Sequence, residues 1–370
     1  MIAETLHWAH VAGRKLRVRG AGRWSNAGRP VHADETLSLA EHRGIVEYVP
    51  GDLTMTVRAG TTLAEIGMAT SREGQWLPLD PWGSDDGTVG ATLSTATTGP
   101  FSHAMGLPRD LVLGMEFVTG DGQTVRSGGR VVKNVAGFDL TRLMVGSWGT
   151  LGVITEVTVR LRSRPEHRET IAVALTPTRT GLNELAARLR ALPFAPLASE
   201  LVNTQLAARL GFGDVTVLLV ALGGNERAVR AQRAAIGGFG DCVLVDEAVW
   251  PALRSSEREP VGSWRWSQLP SQFGDTWTAA DTGARVLESF HLHGNPARGV
   301  VRVVAHGGEA QASALVRAAT AFNGTVNVES LPMDAWPLVS PSAPSALSRG
   351  IRDKFDPARI LNDGILGSDE

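Results

Sequence analysis

The chain has 370 residues and a formal net charge of −2, with 43% apolar and 20% charged residues. Its length predicts two compact units, and its composition excludes a disordered or fibrous protein. The 36 basic residues are balanced by 38 acidic ones without a dense basic run, which excludes the basic surface typical of nucleic-acid or polybasic membrane binding.

At the N-terminus, residues 1–7 do not combine a basic segment with an apolar one, and no apolar stretch of the chain reaches ~18 residues. The sequence therefore predicts a cytoplasmic chain with no signal peptide and no direct membrane insertion. Glycine is unusually frequent, at 42 residues, and is concentrated in a few segments. Such segments bring the backbone close to a ligand or to another part of the chain.

The first elements read as short strands. Residues 14–19 alternate polar and apolar side chains and predict a strand, which runs into the glycine-containing segment 20–26. Residues 45–49 and 54–59 then predict a hairpin, because Pro, Gly and Asp between them are turn residues.

A helix and a long loop follow. The capping-box pattern at residues 62–65 predicts the start of a helix, and Gly74 its end. Residues 77–99 are rich in Pro, Gly, Thr and Ser and show little periodicity, so they predict an ordered loop with a local function.

The next segment predicts a second hairpin, from residues 111–118 and 124–126. Asp139 is placed to cap a short helix whose apolar side chains lie within residues 140–144. Residues 153–161 alternate apolar and polar side chains and predict an amphipathic strand.

Residues 162–165 change in character and predict a domain boundary. The second half reads as an α+β series that resembles a split βαβ unit, or two fused halves of one. Its predicted strands are 170–175, 215–222, 299–305 and 325–328, and its predicted helices are 181–192, 226–236 and 309–322. The four tryptophans within residues 250–282 have no clear period, so we expect aromatic packing in an irregular insertion, with a cofactor- or partner-facing surface as the alternative.

Two of the glycine loops could hold a diphosphate, because Gly, Ser and Thr leave backbone N–H groups accessible. The loop 20–26 follows a strand, but the GxGxxG spacing of a dinucleotide-binding Rossmann turn fails after Gly22. The second loop, 88–95, is by itself weak evidence for a diphosphate site. A plain glycine-rich turn explains either loop about as well.

Taken in order, several motifs resemble the FAD-binding domain of the vanillyl-alcohol oxidase (PCMH) type. These motifs are residues 19–22, 60–63, 77–81, 88–90, 109–114, 121–122 and 149–156. The stretch 132–147 is similar to D-lactate and glycolate dehydrogenases, and its Lys-Asn-Val-Ala-Gly version resembles the smaller FAD-binding subunit of glycolate oxidase. The tail residues 355–362 fit the same family.

This resemblance implies an α+β fold: a two-part FAD-binding domain (1–165), a ferredoxin-like α+β cap domain (166–340) and a C-terminal tail that returns to the FAD domain (341–370). It also implies non-covalent FAD, because no residue is a convincing site of covalent attachment and His103 is only the nearest candidate. The cofactor-binding residues that it implies are Gly20, Ala21, Gly22, Arg23, Trp24, Ser25, Pro81, Thr88, Val89, Gly90, Leu93, Ser94, Gly99, Gly149, Gly152, Val153 and Ile154.

Three positions depart from the family pattern: Ala91 replaces a second glycine, Phe138 a tyrosine and Asp363 a proline. None is expected to abolish FAD binding, and Ala91 would matter only if its φ had to be positive. The His-rich metal motif of self-sufficient relatives is absent. His291 and His293 could share one strand face, but no third ligand is specified, so no metal site is predicted.

The resemblance implies an FAD-binding component of a glycolate oxidase complex, which takes part in oxidation of glycolate to glyoxylate and passes electrons through flavin to a partner. Its expected partners are a larger FAD subunit and an iron–sulfur subunit, and its substrate a small 2-hydroxy acid. Through these partners it could lie peripherally at the inner membrane. Cys242, the one cysteine, cannot hold an iron–sulfur cluster, so such clusters belong to another chain.

Two alternatives stay open: a self-sufficient FAD-dependent D-2-hydroxyacid dehydrogenase, and a non-catalytic scaffold with a flavin fold. No catalytic residue is predicted. Arg265, Arg298 and Arg302 are candidates to pair with a substrate carboxylate, but 33 arginines make any choice close to arbitrary.

Overall fold

A computed structural model describes residues 1–129, 139–257, 261–306, 313–314, 316, 325–341 and 344–367. The helices up to residue 163 are α1 (Ile2–Ala12), α2 (Leu63–Ser71), α3 (Val89–Thr95), α4 (Ser102–Met105), α5 (Pro108–Leu111) and α6 (Leu140–Met144). The strands are β1 (Leu16–Arg19), β2 (Glu35–Ser38), β3 (Ile45–Val49), β4 (Thr54–Arg58), β5 (Gln75–Trp76), β6 (Val112–Val118), β7 (Thr124–Gly128), β8 (Val153–Arg160) and β9 (Arg162–Ser163).

A five-stranded antiparallel sheet, in the order β3-β4-β8-β6-β7, forms the centre of this part. Both predicted hairpins are confirmed, as are the capping box that starts α2 and the Asp139 cap of α6. The central strand β8 follows the predicted alternation, because Val153, Val157 and Val159 are fully buried in the core.

The prediction of a loop over residues 77–99 is wrong in part, because α3 lies within it. Seven residues with three Thr or Ser are a weak helix signal in a sequence. The helix forms because the Thr88 side chain accepts the Ala91 N–H and because Val89 and Leu93 are fully buried. Ala91 has no positive φ, so its departure from the family pattern introduces no backbone strain.

The C-terminal tail lies along β1. After helix α12 (Ala346–Phe355), the buried carboxylate of Asp356 accepts the N–H groups of Ile360 and Leu361 at 3.0 and 2.9 Å. Leu16 N–H then donates to Ile360 O at 2.7 Å, and Val18 N–H donates to the Asn362 side chain at 2.8 Å.

The second part is built on an eight-stranded antiparallel sheet, which we call the large sheet. Its strands are β10 (His167–Leu175), β11 (Ala198–Val202), β12 (Thr216–Gly224), β13 (Cys242–Val245), β14 (Gly262–Ser267), β15 (Ser289–Asn295), β16 (Val300–His306) and β17 (Thr325–Ser330). Its helices are α7 (Arg179–Arg190), α8 (Thr204–Arg209), α9 (Glu226–Ile236), α10 (Val249–Ser255) and α11 (Phe273–Ala284).

The large sheet consists of two fused halves, which is one of the two arrangements that the sequence predicts for the second half of the chain. The strand order is β13-β10-β12-β11-β15-β16-β14-β17, so each half has its fourth, first, third and second strands side by side. This is the strand arrangement of a ferredoxin-like βαββαβ unit. The halves join where β11 pairs with β15.

The tryptophan-rich region is regular, and its prediction as an irregular insertion is wrong. It contains β14 and α11, and Trp264 and Trp266 are buried in the core of the large sheet. The expected aromatic packing is therefore confirmed. Of the helix predicted at 309–322, only residues 313, 314 and 316 are described, and the family-like residues 132–138 lie outside the described ranges. Within those ranges no helix is both long and apolar enough to cross a membrane.

Candidate functional site

A cleft lies between the β1–β2 loop, α3 and the turn before β8, and we call it the glycine cleft. It brings together most of the residues that the sequence predicts to bind a cofactor. These are Gly20, Ala21, Gly22, Arg23, Trp24, Ser25, Thr88, Gly90, Ser94, Gly149, Gly152, Val153 and Ile154.

Four predicted cofactor residues do not line the glycine cleft. Val89 and Leu93 point into the core, with no exposed surface. Gly99 packs against Asp80, and the Pro81 carbonyl accepts a hydrogen bond from the Arg254 side chain at 3.4 Å. These residues support the cleft from behind or lie beside the large sheet.

The glycines of the cleft allow close approaches that a larger residue would prevent. A Cβ atom at Gly20 would lie 2.2 Å from Thr88 Oγ1, and one at Gly90 would lie 2.7 Å from Ala59 Cβ. Gly149 has φ +68°, and a Cβ there would lie 2.7 Å from Asn362 Nδ2. The strand, the helix and the tail can therefore meet around one cleft only with glycine at these positions.

The open hydrogen-bond donors of the cleft lie in its first loop. Among the described residues, the N–H groups of residues 20–23 donate to no acceptor. In contrast, the N–H groups of Val89 and Gly90 at the start of α3 already donate to Thr61 O and Ala59 O, each at 2.9 Å. Consecutive open N–H groups form an anion-binding concavity, so the first loop has the geometry to accept an anion.

Two cationic side chains that the sequence reasoning missed also line the cleft. Arg17 and Arg19 alternate along β1 and so share one face. Arg17 donates to Ser25 O at 3.3 Å, and burial together with the neighbouring Arg19 lowers the pKa of Arg17. Arg23 pairs with Asp86. The open N–H groups and the guanidinium groups together fit the diphosphate of FAD.

The C-terminal tail forms a further wall of the glycine cleft. The sequence linked this tail to the family but did not place it at the cleft. Asn362 lines the cleft and donates from its amide to Trp148 O at 2.8 Å. The unusual Asp363 beside it pairs with Lys15 at 2.7 Å and with Arg352 at 3.0 Å. Asp363 thus provides one ion pair to Lys15, directly before β1, and a second ion pair within the C-terminal segment.

A second cavity lies where residues 98–102 face the large sheet, and we call it the arginine cavity. Arg265, Arg298 and Arg302 line it together with Ser102 and Asn295. Arg298 Nη1 donates to Ser102 Oγ at 3.1 Å, and burial and the nearby Arg265 lower the pKa of Arg298. Arg302 is also paired with Glu257 and Glu329, and Arg265 Nε lies 3.7 Å from Glu329, so Arg298 is the guanidinium group best placed to hold a small anion.

The two histidines weighed as metal ligands have other partners. His293 lies between the carboxylates of Glu200 and Glu257, with ring nitrogens 2.8 and 2.7 Å from their oxygens. His291 Nδ1 lies 3.1 Å from His306 Nε2, and burial and that neighbour lower the pKa of His291 to about 4. In the part of the chain that is described, no group of three or more His, Cys, Asp and Glu residues could hold a metal ion.

Comparison with known proteins agrees with this architecture. A family model described as an FAD binding domain matches residues 1–128. The glycolate oxidase subunit GlcE of Escherichia coli is 37% identical over 263 residues, which covers 69% of each chain. The glycolate oxidase subunit GlcD of Bacillus subtilis is 36% identical over 142 residues, 38% of this chain and 30% of that one.

The fold is also found in a solved structure of distant sequence. The 4-ethylphenol oxidase from Gulosibacter chungangensis superposes with a TM-score of 0.73 over 99% of this chain and 87% of that one, at 16% identity. The chain therefore belongs to the GlcE family of glycolate oxidase subunits, and its fold is that of the vanillyl-alcohol oxidase type.

Proposed function

We propose that this chain binds FAD non-covalently in the glycine cleft and acts as an FAD-carrying subunit of a glycolate dehydrogenase complex. The observation that carries the proposal is the first loop of the cleft, where the open N–H groups of residues 20–23 lie beside Arg17 and Arg19. The family membership supports the same cofactor.

In this proposal the loop 20–23 and the two arginines hold the diphosphate, and Gly149, Gly152 and the start of β8 form the opposite wall. Residues 1–165 and the returning tail 341–370 make up the FAD domain, and residues 166–340 the cap. When bound, FAD supplies the acceptor for a hydride from the α-carbon of a 2-hydroxy acid.

The arginine cavity is the proposed place for the substrate. A carboxylate forms two parallel hydrogen bonds with a guanidinium, and Arg265 and Arg298 both line this cavity. The side chains of Ser102 and Asn295 can bind the remaining polar atoms of a two-carbon acid. Glycolate is the proposed substrate, and glyoxylate the product.

The proposed partners are a larger flavin subunit like GlcD and an iron–sulfur subunit. The chain has a single cysteine, so electrons that leave its flavin toward an iron–sulfur centre must pass to another chain. We propose a cytoplasmic location, peripheral to the inner membrane through these partners. The arginine cavity favours a second candidate, a self-sufficient D-2-hydroxyacid dehydrogenase.

Turnover by the purified chain, alone and mixed with its partners, tests the proposal. Glycolate and D-lactate would be supplied with an artificial electron acceptor. We expect efficient glycolate oxidation only in the mixture, and loss of this activity when Arg265→Met or Arg298→Met is introduced. Efficient turnover by the single chain would instead establish the self-sufficient dehydrogenase, and a chain that never contributes to turnover would indicate a scaffold.

A further inference from the structure

Three ionisable side chains form a buried row on the large sheet, beside the arginine cavity. Glu200 lies on β11, His293 on β15 and Glu257 after α10. The imidazole of His293 has no exposed surface, and its two nitrogens lie 2.8 and 2.7 Å from Glu200 Oε1 and Glu257 Oε1. Trp82 packs over the ring, with the two centroids 4.3 Å apart. The ring is therefore held in one orientation.

The two carboxylates of this row have different surroundings. Glu257 also accepts two hydrogen bonds from Arg302, both at 2.7 Å, and although burial opposes it, Arg302 and His293 lower the pKa of Glu257 to about 2. Glu200 lines the arginine cavity, and burial raises its pKa although His293 opposes that rise. Glu257 thus stays ionised, while Glu200 is the carboxylate that can exchange a proton with a ligand in the cavity.

The charge of His293 follows from its position. Burial alone would lower the pKa of His293, but the hydrogen bonds to Glu200 and Glu257 outweigh burial and raise it. An imidazolium with both N–H groups engaged cannot serve as a base or as a metal ligand. Its effect is to orient Glu200 and to keep that carboxylate more acidic than burial alone would make it.

We propose that Glu200 is the proton acceptor for the hydroxyl group of a small 2-hydroxy acid bound in the arginine cavity, and that His293 is its positioning residue. This inference rests on the proposed function and names a catalytic residue for it. The hydroxyl O–H bond breaks and its proton passes to a carboxylate oxygen of Glu200. The O–H electron pair forms the new C=O bond as the α-hydrogen leaves as hydride, for which the oxidised flavin of the proposed function is the acceptor.

Three guanidinium groups line the arginine cavity with Glu200, and one histidine lies beside Arg298. Arg302 comes from β16, Arg265 from β14, and Arg298 from the turn between β15 and β16. His103 lies on α4, where burial and Arg298 lower its pKa. Arg302 and Arg265 also pair with Glu329 of β17. The three guanidinium groups favour the ionised form of Glu200 in the free cavity, and a bound anion favours its protonation.

The first test measures proton uptake rather than activity. Oxalate would be titrated into the purified chain by calorimetry near pH ~7, in buffers of different ionisation enthalpy. The wild-type chain should take up protons on binding. Glu200→Gln should bind oxalate without that uptake, and Glu200→Asp should retain it. Glu184→Gln, an exposed change on α7, is the matched control and should behave as wild type. Unchanged uptake in Glu200→Gln, or no oxalate binding by the wild-type chain, would overturn the inference.

The second test separates positioning from structural support. His293→Gln removes a cation next to Glu200, so the pH midpoint of proton uptake should move upward, whereas a merely structural role would change stability and leave the midpoint unmoved. His32→Gln, exposed in the β1–β2 connection, is its control. In the complete complex, Glu200→Gln should lower kcat for glycolate about 100-fold or more with little change in KM. Absence of turnover by the wild-type complex would reject the proposed function, while the calorimetric result judges Glu200 separately.

Discussion

Replacement of Gly20 by alanine tests the packing on which the glycine cleft depends. The new Cβ would lie 2.2 Å from Thr88 Oγ1 and 3.1 Å from Thr88 Cγ2. Thr88 is buried and its hydroxyl caps α3, so a rotation of its side chain away from the new Cβ would break that cap. Ordinary contact would require a separation greater by about 1 Å, and such overpacking costs about 1–3 kcal/mol.

We therefore expect Gly20→Ala to lower the free energy of unfolding by about 1–3 kcal/mol and to weaken FAD binding by at least about tenfold. Urea denaturation measures the first quantity, and titration of the flavin-free protein with FAD measures the second. Gly67→Ala is the matched control, because it lies inside α2 with nothing within 4 Å of the new Cβ. That change should stabilise the chain by about 0.5–1 kcal/mol and leave FAD binding unchanged.

A double mutant identifies the source of the effect. Thr88→Ala alone loses a helix cap worth about 1 kcal/mol, but it also removes the two atoms with which the Cβ introduced at position 20 would collide. The combination of Gly20→Ala and Thr88→Ala should thus be less damaging than the sum of the single changes, by about 1 kcal/mol or more. A stable Gly20→Ala variant with normal FAD affinity would refute the reasoning, and so would strict additivity.

Three further predictions concern single carboxylates and can be checked by urea denaturation. Burial raises the pKa of Asp80 to about 7 from its ordinary 3.8. The contribution of this group to the free energy of unfolding is therefore fully present below pH 3.8 and is lost as pH rises through about 7. Asp80→Asn should remove this pH dependence, up to about 4 kcal/mol, and a variant with wild-type pH dependence would contradict it. Asp85→Asn should lower the free energy of unfolding by about 2–3 kcal/mol, because it leaves the Arg254 guanidinium, which is only 9% exposed, without its bidentate partner. Arg254→Met should cost less, since it removes that guanidinium. Asp356→Asn should cost about 1–3 kcal/mol and make the tail sensitive to protease, since one acceptor for Ile360 or Leu361 is lost; a protease-resistant tail would argue against this anchor.

Local patterns were enough to predict most of the FAD-binding part. The strand before Gly20, the hairpins and the capped helix each depend on short-range turn, capping and alternation rules. Helix α3 was not predicted, because its stability comes from burial of Val89 and Leu93 against distant parts of the chain. The positions of the open N–H groups could not be predicted either, because Thr61 and Ala59 accept the amides of α3 only in the folded chain.

The large sheet shows a second limit of sequence reasoning. Strand β15 was not predicted, because polar residues such as His291 and His293 alternate with the apolar Phe290 and Leu292 and yet are buried as well. These polar side chains are buried next to partners such as Glu200, which is 93 positions away in the sequence. The pairing of β11 with β15 brings Glu200 and His293 together, so the row beside the arginine cavity depends on topology that no local pattern encodes.

The visible spectrum of the purified chain, recorded before and after acid precipitation, tests the central claim most directly. We predict a flavin spectrum in the native protein, with the flavin entirely in the supernatant after acid, and loss of that flavin in Gly20→Ala. A colourless chain that takes up no added FAD would contradict a cofactor site in the glycine cleft. Flavin that remains in the acid precipitate would contradict the non-covalent binding proposed here.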